Sequence, residues 1–155
     1  MDNALGYVYA SMTFKDLKSQ IDHTFRSCGF VKDGAKWSLA GPDSVVKCDL
    51  QKSSFGGQCW LNVDVICSFS DQGPTGRAYF RLETLFPDDR LLIQDLLNLD
   101  DTTNSKASIE RALCDLFIPV LRKLTQMASL KSYYTRYLQN GALIDQNFRA
   151  IMALH

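Results

Sequence analysis

The sequence predicts an α+β domain with an N-terminal helix, an antiparallel β-meander of about four to five strands, and C-terminal helices packed on one face of the sheet. Apolar residues recur every three or four positions before residue 29, alternate with polar residues between 46 and 67, and return to helical spacing after 105. The chain has 155 residues, of which 46% are hydrophobic and 22% are charged. These values fit a single domain, with residues 13–152 as its core and the first 12 residues as a flexible segment.

The first helix is predicted from its start, its apolar face and its end. Thr13 is placed to cap the N-terminus, and Asp16 follows three residues later, as in a capping box. Gly29 occupies the position of a left-handed C-terminal glycine. The apolar positions that share one face are Phe14, Leu17, Ile21, Phe25 and Cys28. This spacing indicates an amphipathic helix with one buried side.

Short strands joined by short turns follow this helix. Asp33-Gly34 between two apolar runs is a strong hairpin signal. Apolar and polar residues then alternate along residues 46–51 and, in the longest predicted strand, along residues 59–67. A further short strand is predicted at residues 78–82. Because every connection is too short for a parallel crossover, we expect the strands to be antiparallel.

The last third of the chain is predicted to be helical. Pro87-Asp88-Asp89 is typical of a helix N-terminus, where the helix dipole favours acidic residues. A long apolar stripe begins at Ser105, and Pro119 within it is expected to kink or split the helix. A short helix ending at Asn140-Gly141 and a final helix that includes Leu143 complete the prediction.

Charge and cysteine content limit the expected partners and compartment. Lys plus Arg and Asp plus Glu number 17 each, so no overall field attracts nucleic acid or an anionic membrane. No apolar run approaches the roughly 20 residues that cross a bilayer, and the N-terminus does not resemble a secretory signal. The five cysteines form no CxxC pair and are interpreted as reduced core residues. The sequence therefore predicts a cytoplasmic protein.

Residues that usually carry catalysis or metal binding are scarce. His23 lies on the first helix beside its buried face and is interpreted as a residue at the edge of that face rather than an acid–base catalyst, and His155 is terminal. Asp88-Asp89 and Asp100-Asp101 offer ligands for a cation such as Mg²⁺, but helix capping is the favoured interpretation. The sequence contains no nucleophile-elbow, zinc-protease or phosphate-loop motif. We therefore predict no catalytic residue, no metal and no cofactor.

The segment that connects the third and fourth predicted strands is the candidate recognition site. It combines amide, ammonium and hydroxyl donors with an aromatic ring and with glycines that permit close approach of the backbone. The alternative interpretation is a plain hairpin connection whose glycines satisfy turn geometry. The predicted partner-binding residues are Gln51, Lys52, Ser53, Ser54, Phe55, Gly56, Gly57, Trp60 and Asn62.

The same segment also carries a family resemblance. The run from Leu50 to Gly56 is a Leu-Gln-Lys-Ser-Ser-aromatic-Gly hairpin that leads into the strand Leu61-Asn62-Val63, and Cys28-Gly29-Phe30 ends the first helix. In these features, over residues 13–152, the chain resembles the bacterial domain-of-unknown-function family numbered four-three-zero-four. Related small α+β proteins act as immunity proteins, so the resemblance implies neutralisation of a bacterial toxin. Because the chain is neutral rather than acidic, a basic nuclease is not the expected target.

Protein binding without catalysis is the favoured function. Large rigid side chains concentrate binding energy, and the candidate anchors are aromatic: Phe55, Trp60, Tyr133, Tyr134 and Tyr137. Trp60 has the parity opposite to the apolar row of its strand, so we expect it to face away from that row, covered by a loop. The sequence leaves the identity of the partner and the oligomeric state open.

A small-ligand binder or enzyme is the alternative function, with the polar face of the sheet as its site. That site would contain Lys47, Asp49, Gln51, Asn62 and Asp64, and it predicts a concave pocket with a perturbed carboxylate. A salt-bridged face open to solvent is the simpler interpretation of the same residues. RNA binding by stacking on Trp60 and Tyr79 is disfavoured by the neutral charge.

Overall fold

The computed structural model describes residues 12–154, and the predicted flexible segment lies almost wholly outside this range. The described chain is an α+β fold, as predicted, with a six-stranded antiparallel sheet. Its elements are, in order, α1 (Phe14–Ser27), β1 (Val31–Asp33), β2 (Lys36–Ala40), β3 (Ser44–Lys52), β4 (Cys59–Ser68), β5 (Thr75–Arg81), α2 (Arg90–Leu96), α3 (Lys106–Ala112), α4 (Ile118–Lys123), α5 (Met127–Tyr133), β6 (Leu143–Ile144) and α6 (Gln146–Leu154).

Helix α1 begins and ends as the sequence predicts. The Asp16 amide donates to the Thr13 hydroxyl at 3.1 Å, and the Thr13 amide donates to the Asp16 carboxylate at 3.2 Å, which completes the capping box. Gly29 follows with a φ of 94°, the left-handed conformation that a glycine adopts without strain. From the polar side of α1, Asp22 accepts a hydrogen bond from the indole nitrogen of Trp37 at 2.9 Å. This bond joins the helix to strand β2.

The strands follow one another across the sheet in chain order. The predicted Asp33-Gly34 turn joins β1 to β2, and Gly34 has a φ of 59°. The meander contains one strand more than the four to five predicted. Leu143 pairs with Tyr79 at the edge of the sheet, so the predicted final helix does not include Leu143 and begins instead at Gln146. A two-residue strand has no alternation pattern that a sequence can reveal.

The helical region is less regular than the apolar stripes predict. Pro87–Asp89 forms a 3₁₀ turn rather than the first turn of an α-helix, and Asp89 makes no side-chain capping bond to α2. Pro119 splits the long stripe, as predicted. A π-helical turn (Leu113–Phe117) separates α3 from α4, and Pro119 falls in the first turn of α4, directly after it.

The core lies between one face of the sheet and the helices. Trp37 is fully buried there, and its ring lies 5.4 Å from that of Phe25 between centroids. Cys48, Cys59 and Cys67 are buried as predicted. Cys114 contradicts the interpretation of all cysteines as core residues, because it is exposed, and Cys28 is only half-buried. Among the described residues, no helix is both long enough and apolar enough to span a membrane.

Candidate functional site

The second face of the sheet is polar, and we call it the open face. Side chains on alternate positions of β2 to β5 project from it because successive residues of a strand point to opposite sides. Its central residues are Lys36, Lys47, Asp49, Gln51, Trp60, Asn62, Asp64, Arg77, Tyr79 and Arg81.

Asp64 is the most enclosed charge on the open face. Its side chain is only 3% exposed, and the Arg77 guanidinium donates to both of its carboxylate oxygens. Lys36 Nζ lies 3.9 Å from the same carboxylate. The hydrogen bond to Asp64 and its negative charge raise the pKa of Arg77. Asp64 is thus held as an ion pair beneath two long cationic side chains.

Asn62 forms a second buried polar group beside Asp64. Its amide nitrogen donates to Asp49 Oδ1 and to Gln51 Oε1, each at 2.9 Å. Strand register places Asp49 opposite Asn62, and Lys47 opposite Asp64, as the predicted alternation requires. Lys47 nevertheless pairs with Asp33, with 3.2 Å between Nζ and Oδ2. The polar residues are therefore divided among separate pairs and do not converge on one point.

A cavity of about 470 Å³ lies at the β5–β6 edge of the open face. Gln51, Asn62, Tyr79 and Arg81 line it from the sheet, and residues 140–143 line it from the opposite side. Burial, followed by the negative charges of Asp49 and Asp64, raises the pKa of the Tyr79 phenol, so its hydroxyl remains a proton donor at neutral pH. Of the five residues predicted for a polar pocket on this face, Gln51 and Asn62 line the cavity, whereas Lys47, Asp49 and Asp64 do not.

Trp60 projects from the open face near this cavity. It points away from the apolar row of β4, as predicted, and is half-buried. The guanidinium of Arg81 lies over the ring, 4.0 Å from its centroid, and the prediction that a loop covers Trp60 stays a prediction. These two side chains stand on neighbouring strands, and their stacking is a cation–π contact.

The predicted recognition segment forms the turn between β3 and β4, and its second half is firmly attached. The amide of Cys59 donates to the carbonyl of Leu97 at 2.9 Å, and the amide of Leu99 donates to the carbonyl of Gly57 at 2.8 Å. Gly57 also donates to the Asp100 carboxylate at 3.2 Å. A Cβ atom at residue 57 would lie 2.7 Å from the Asp100 side chain, so any other residue would require that carboxylate to shift.

The tip of the same turn projects into solvent. Phe55 is 99% exposed, and Lys52, Ser54 and Gly56 are exposed beside it. Ser53 is half-buried, because its amide donates to the carbonyl of Gln58 at 2.8 Å and its hydroxyl accepts from the amide of Phe55 at 3.1 Å. The turn thus presents an aromatic ring from a hydrogen-bonded base.

The three tyrosines considered as anchors are less available than Phe55. Tyr133, Tyr134 and Tyr137 are all half-buried. The Tyr133 and Tyr137 rings lie 6.0 Å apart, and the Tyr134 ring lies 5.8 Å from that of buried Phe148. Their rings pack on one another or on the core, so they offer little free surface.

An apolar groove between α2 and α3 is the feature that the sequence predictions missed. It encloses about 430 Å³ and is lined largely by Leu92, Leu96, Leu116 and Phe117. Leu91 beside it is 73% exposed, and Leu92 is 59% exposed. Leu91 and Leu92 are consecutive, and two consecutive residues of a helix cannot both face the core. This pair was the sequence signal that could have indicated the groove.

The acidic pairs and the histidines occupy structural or solvent positions. Asp100 holds Gly57, and Asp101 accepts hydrogen bonds from the amide and hydroxyl of Thr103, which lower the pKa of Asp101. His23 is exposed on α1, whereas His155 lies outside the described residues. Within residues 12–154, no cluster of His, Cys, Asp and Glu side chains has the arrangement of a metal site.

Comparison with known proteins adds no relative to this description. No family model, no curated protein and no solved structure matches the chain. The resemblance of the Leu50–Gly56 segment to the bacterial family described above therefore stays a prediction.

Proposed function

We propose that the chain is a non-catalytic protein-binding module whose partner docks on the β3–β4 turn and the adjoining end of the open face. The observation that carries this proposal is Phe55, 99% exposed at the tip of a turn whose base is fixed to residues 97–100. An aromatic ring in this position contributes nothing to the core. Burying a Phe side chain on binding is worth about 1.5–3 kcal/mol, which only a partner can supply here.

The fixed base of the turn favours tight binding. A loop that is already ordered loses little conformational entropy when its partner arrives, so more of the contact energy appears as affinity. Three backbone or side-chain bonds hold the second half of the turn at Gly57, Cys59 and Leu99. Phe55 is therefore displayed from a rigid platform rather than from a free loop.

The residues around the tip match the polar rim of a protein interface. Lys52, Ser54 and Gln51 surround Phe55 in the chain and are exposed, while the Trp60–Arg81 stack adds a second aromatic group on the open face. Interfaces concentrate binding energy in Trp, Tyr and Arg and surround it with polar contacts. This composition supports a protein partner.

The resemblance to the domain-of-unknown-function family narrows the partner to a bacterial toxin, which makes an immunity protein the specific form of this proposal. The equal numbers of basic and acidic residues favour a partner that is recognised by shape and local contacts rather than by net charge. The direct test is co-expression with the product of the adjacent gene. Growth rescued by the wild-type chain and lost with Phe55→Ala supports the proposal, whereas equal growth with both contradicts it.

Affinity capture with two matched variants tests the docking surface itself. The full chain is immobilised and exposed to lysate of its source cell, and the retained partner is quantified. Phe55→Ala is expected to lower the affinity at least about 10-fold, which corresponds to about 1.4 kcal/mol. Leu92→Ala, at a leucine that lines the α2–α3 groove and is 59% exposed, is the control and is expected to retain the partner. If the groove variant loses the partner and Phe55→Ala retains it, the interface lies at the α2–α3 groove instead.

Small-ligand binding is a second candidate function, and the cavity at the β5–β6 edge favours it. This cavity of about 470 Å³ presents the Tyr79 hydroxyl and the Arg81 guanidinium, which suit a small molecule with a carboxylate or phosphate group. Thermal-shift screening against such compounds is the test. A hit that vanishes with Tyr79→Phe and with Arg81→Ala, but persists with Phe55→Ala, would establish the site; a screen without hits would dismiss it.

A further inference from the structure

A third cavity lies where the end of α1 meets the π turn and α4. It encloses about 500 Å³ and is lined by Cys28, Cys114, Ile118, Pro119, Arg122, Lys123 and Gln126. Neither cysteine is part of a disulfide: Cys28 is half-buried, and Cys114 is exposed. The cavity therefore brings together two thiols that are far apart in the sequence and leaves both within reach of solvent.

The Cys28 side chain affects the ionisation of the Cys114 thiol. Burial, and then the charge and hydrogen bond of the Cys28 side chain, raise the pKa of the Cys114 thiol. Glu110 and Asp115 on the same helical stretch act in the same direction. Both side chains line the same cavity, so a disulfide bond between them would form within this one site.

The basic side chains of the cavity stand beside this pair. The Arg122 guanidinium donates to the backbone carbonyl of Cys28, so it is held against the end of α1. Lys123 lines the same cavity. These cations are placed to attract an anionic small molecule, and the two thiols are placed to react with it if it carries a disulfide.

From this geometry we infer that Cys28 and Cys114 form a dithiol site that is oxidised to an intramolecular disulfide by a small anionic disulfide such as glutathione disulfide. One cysteine thiolate attacks a sulfur of glutathione disulfide, the S–S bond breaks, and one glutathione thiolate leaves. The second cysteine thiolate then attacks the protein-bound sulfur and releases the second glutathione. Both protein thiol protons pass to the leaving thiolates through solvent, so two protein thiols and one glutathione disulfide give one protein disulfide and two glutathione thiols.

The second step is expected to be faster than an encounter with another molecule, because both protein thiols line the same cavity. The remaining cysteines provide an internal contrast. Burial raises the pKa of Cys59 to about 11 and of Cys67 to about 11, and burial also raises the pKa of Cys48. All three lie in the core strands, where neither thiolate formation nor access favours exchange. Oxidation at this site is independent of the proposed protein interface.

The test is to incubate the folded, reduced full chain with glutathione disulfide and to stop the exchange with acid. The products are then identified by intact mass and by peptide mapping. The wild-type chain is expected to lose two hydrogens and to retain no glutathione, with Cys28 joined to Cys114. Cys28→Ser and Cys114→Ser are each expected to stop at one retained glutathione on the remaining cysteine. The double variant is expected to remain unmodified. Circular dichroism establishes that each serine variant is folded before exchange.

The pH dependence provides a second readout. Because the pKa of Cys114 is raised, exchange is expected to accelerate when the pH is raised from neutrality beyond the ordinary thiol value of about 8.5. A wild-type chain that accumulates the mixed disulfide, that cross-links to a second chain, or that is modified at Cys48, Cys59 or Cys67 instead would overturn the inference. So would a folded wild-type chain that does not react at the higher pH.

Discussion

The two sides of strand β4 are buried equally but by different means. On the helix side, Leu61, Val63 and Val65 are at most 1% exposed, because helices cover them. On the open face, Asn62 and Asp64 are 4% and 2% exposed, although the cover there is a layer of long side chains. Arg77 lies over Asp64 with 54% of its own side chain exposed.

This difference separates a fixed surface from one that can be rearranged. A packed apolar layer cannot move without opening a cavity, and cavities are costly. Long charged side chains can be moved aside at the cost of an ion pair that is partly exposed to solvent, which is less than the cost of a cavity in the core. The helix side therefore supplies stability, whereas the open face is suited to contact with another molecule. Four substitutions test this division.

Leu61→Ala is expected to have the largest effect. It removes a side chain 1% exposed at the centre of the core, and such substitutions cost roughly 2–5 kcal/mol of unfolding free energy. Urea denaturation measures the change. Leu143→Ala, at a leucine 76% exposed on the open face, is the control and should stay within about 0.5 kcal/mol. Equal losses in both variants would show that the two faces are equally important to stability.

Arg77→Ala is expected to have an intermediate effect. It leaves the buried Asp64 carboxylate with Lys36 alone, 3.9 Å away, and we expect a loss of about 1–2 kcal/mol. This value is below that for a fully buried pair because Arg77 is more than half exposed. Lys47→Ala, which removes the pair with exposed Asp33, is the matched control and should cost no more than about 0.5 kcal/mol in urea denaturation. If Arg77→Ala and Lys47→Ala lose the same unfolding free energy, Arg77 is not needed to stabilise the buried Asp64 carboxylate.

Asp22→Asn is expected to have a smaller effect that depends on pH. The hydrogen bond from the Trp37 indole, and then the charge of Arg26, lower the pKa of Asp22. A lowered pKa in the folded state gives stability that is present above the unfolded value of about 3.9 and is lost as the pH falls through the folded value. The variant should therefore lose about 0.5–1 kcal/mol at neutral pH and less at strongly acidic pH.

Urea midpoints at neutral and acidic pH measure this difference. Asp33→Asn, at an exposed carboxylate outside the helix–strand contact, serves as the comparison. A difference between wild type and Asp22→Asn that grows as the pH falls would contradict the assignment, because its sign would then require a raised pKa.

Phe55→Ala is expected to have the smallest effect on stability. Because the ring is 99% exposed, the unfolding free energy should change by less than about 0.5 kcal/mol. The same denaturation series measures it. A larger loss would mean that Phe55 supports the turn, and its loss of partner binding would then not identify an interface.

Features encoded by neighbouring residues could be predicted from the sequence. The Thr13–Asp16 capping box and the Asp33-Gly34 hairpin depend on residues at most three positions apart, and both are present. The alternation along β3 and β4 also fixed which residues share the open face, including Asn62 opposite Asp49.

Features that depend on long-range packing could not be predicted. Arg81 over Trp60 and Leu143 beside Tyr79 result from contacts between segments whose relative position is set by the whole fold. The exposure of Cys114 depends on how the π turn rotates the residues around it. At the candidate site, sequence composition indicated Phe55 as an aromatic residue in a turn, but not that Leu97 and Leu99 would hold the base of that turn.

The π turn also determines where the chain can lose a residue. In it, the amide of Ile118 donates to the carbonyl of Leu113, five residues earlier, so this turn contains one residue more than an α-helical turn. Removing one residue there would restore the ordinary helical repeat and leave the following segment in its present orientation, whereas removing Val120 from α4 would rotate the residues beyond it by about 100°. Leu121 and Leu124 would stay in the core after the first deletion and leave it after the second. Homologous chains should therefore tolerate a one-residue deletion in the π turn but not in α4.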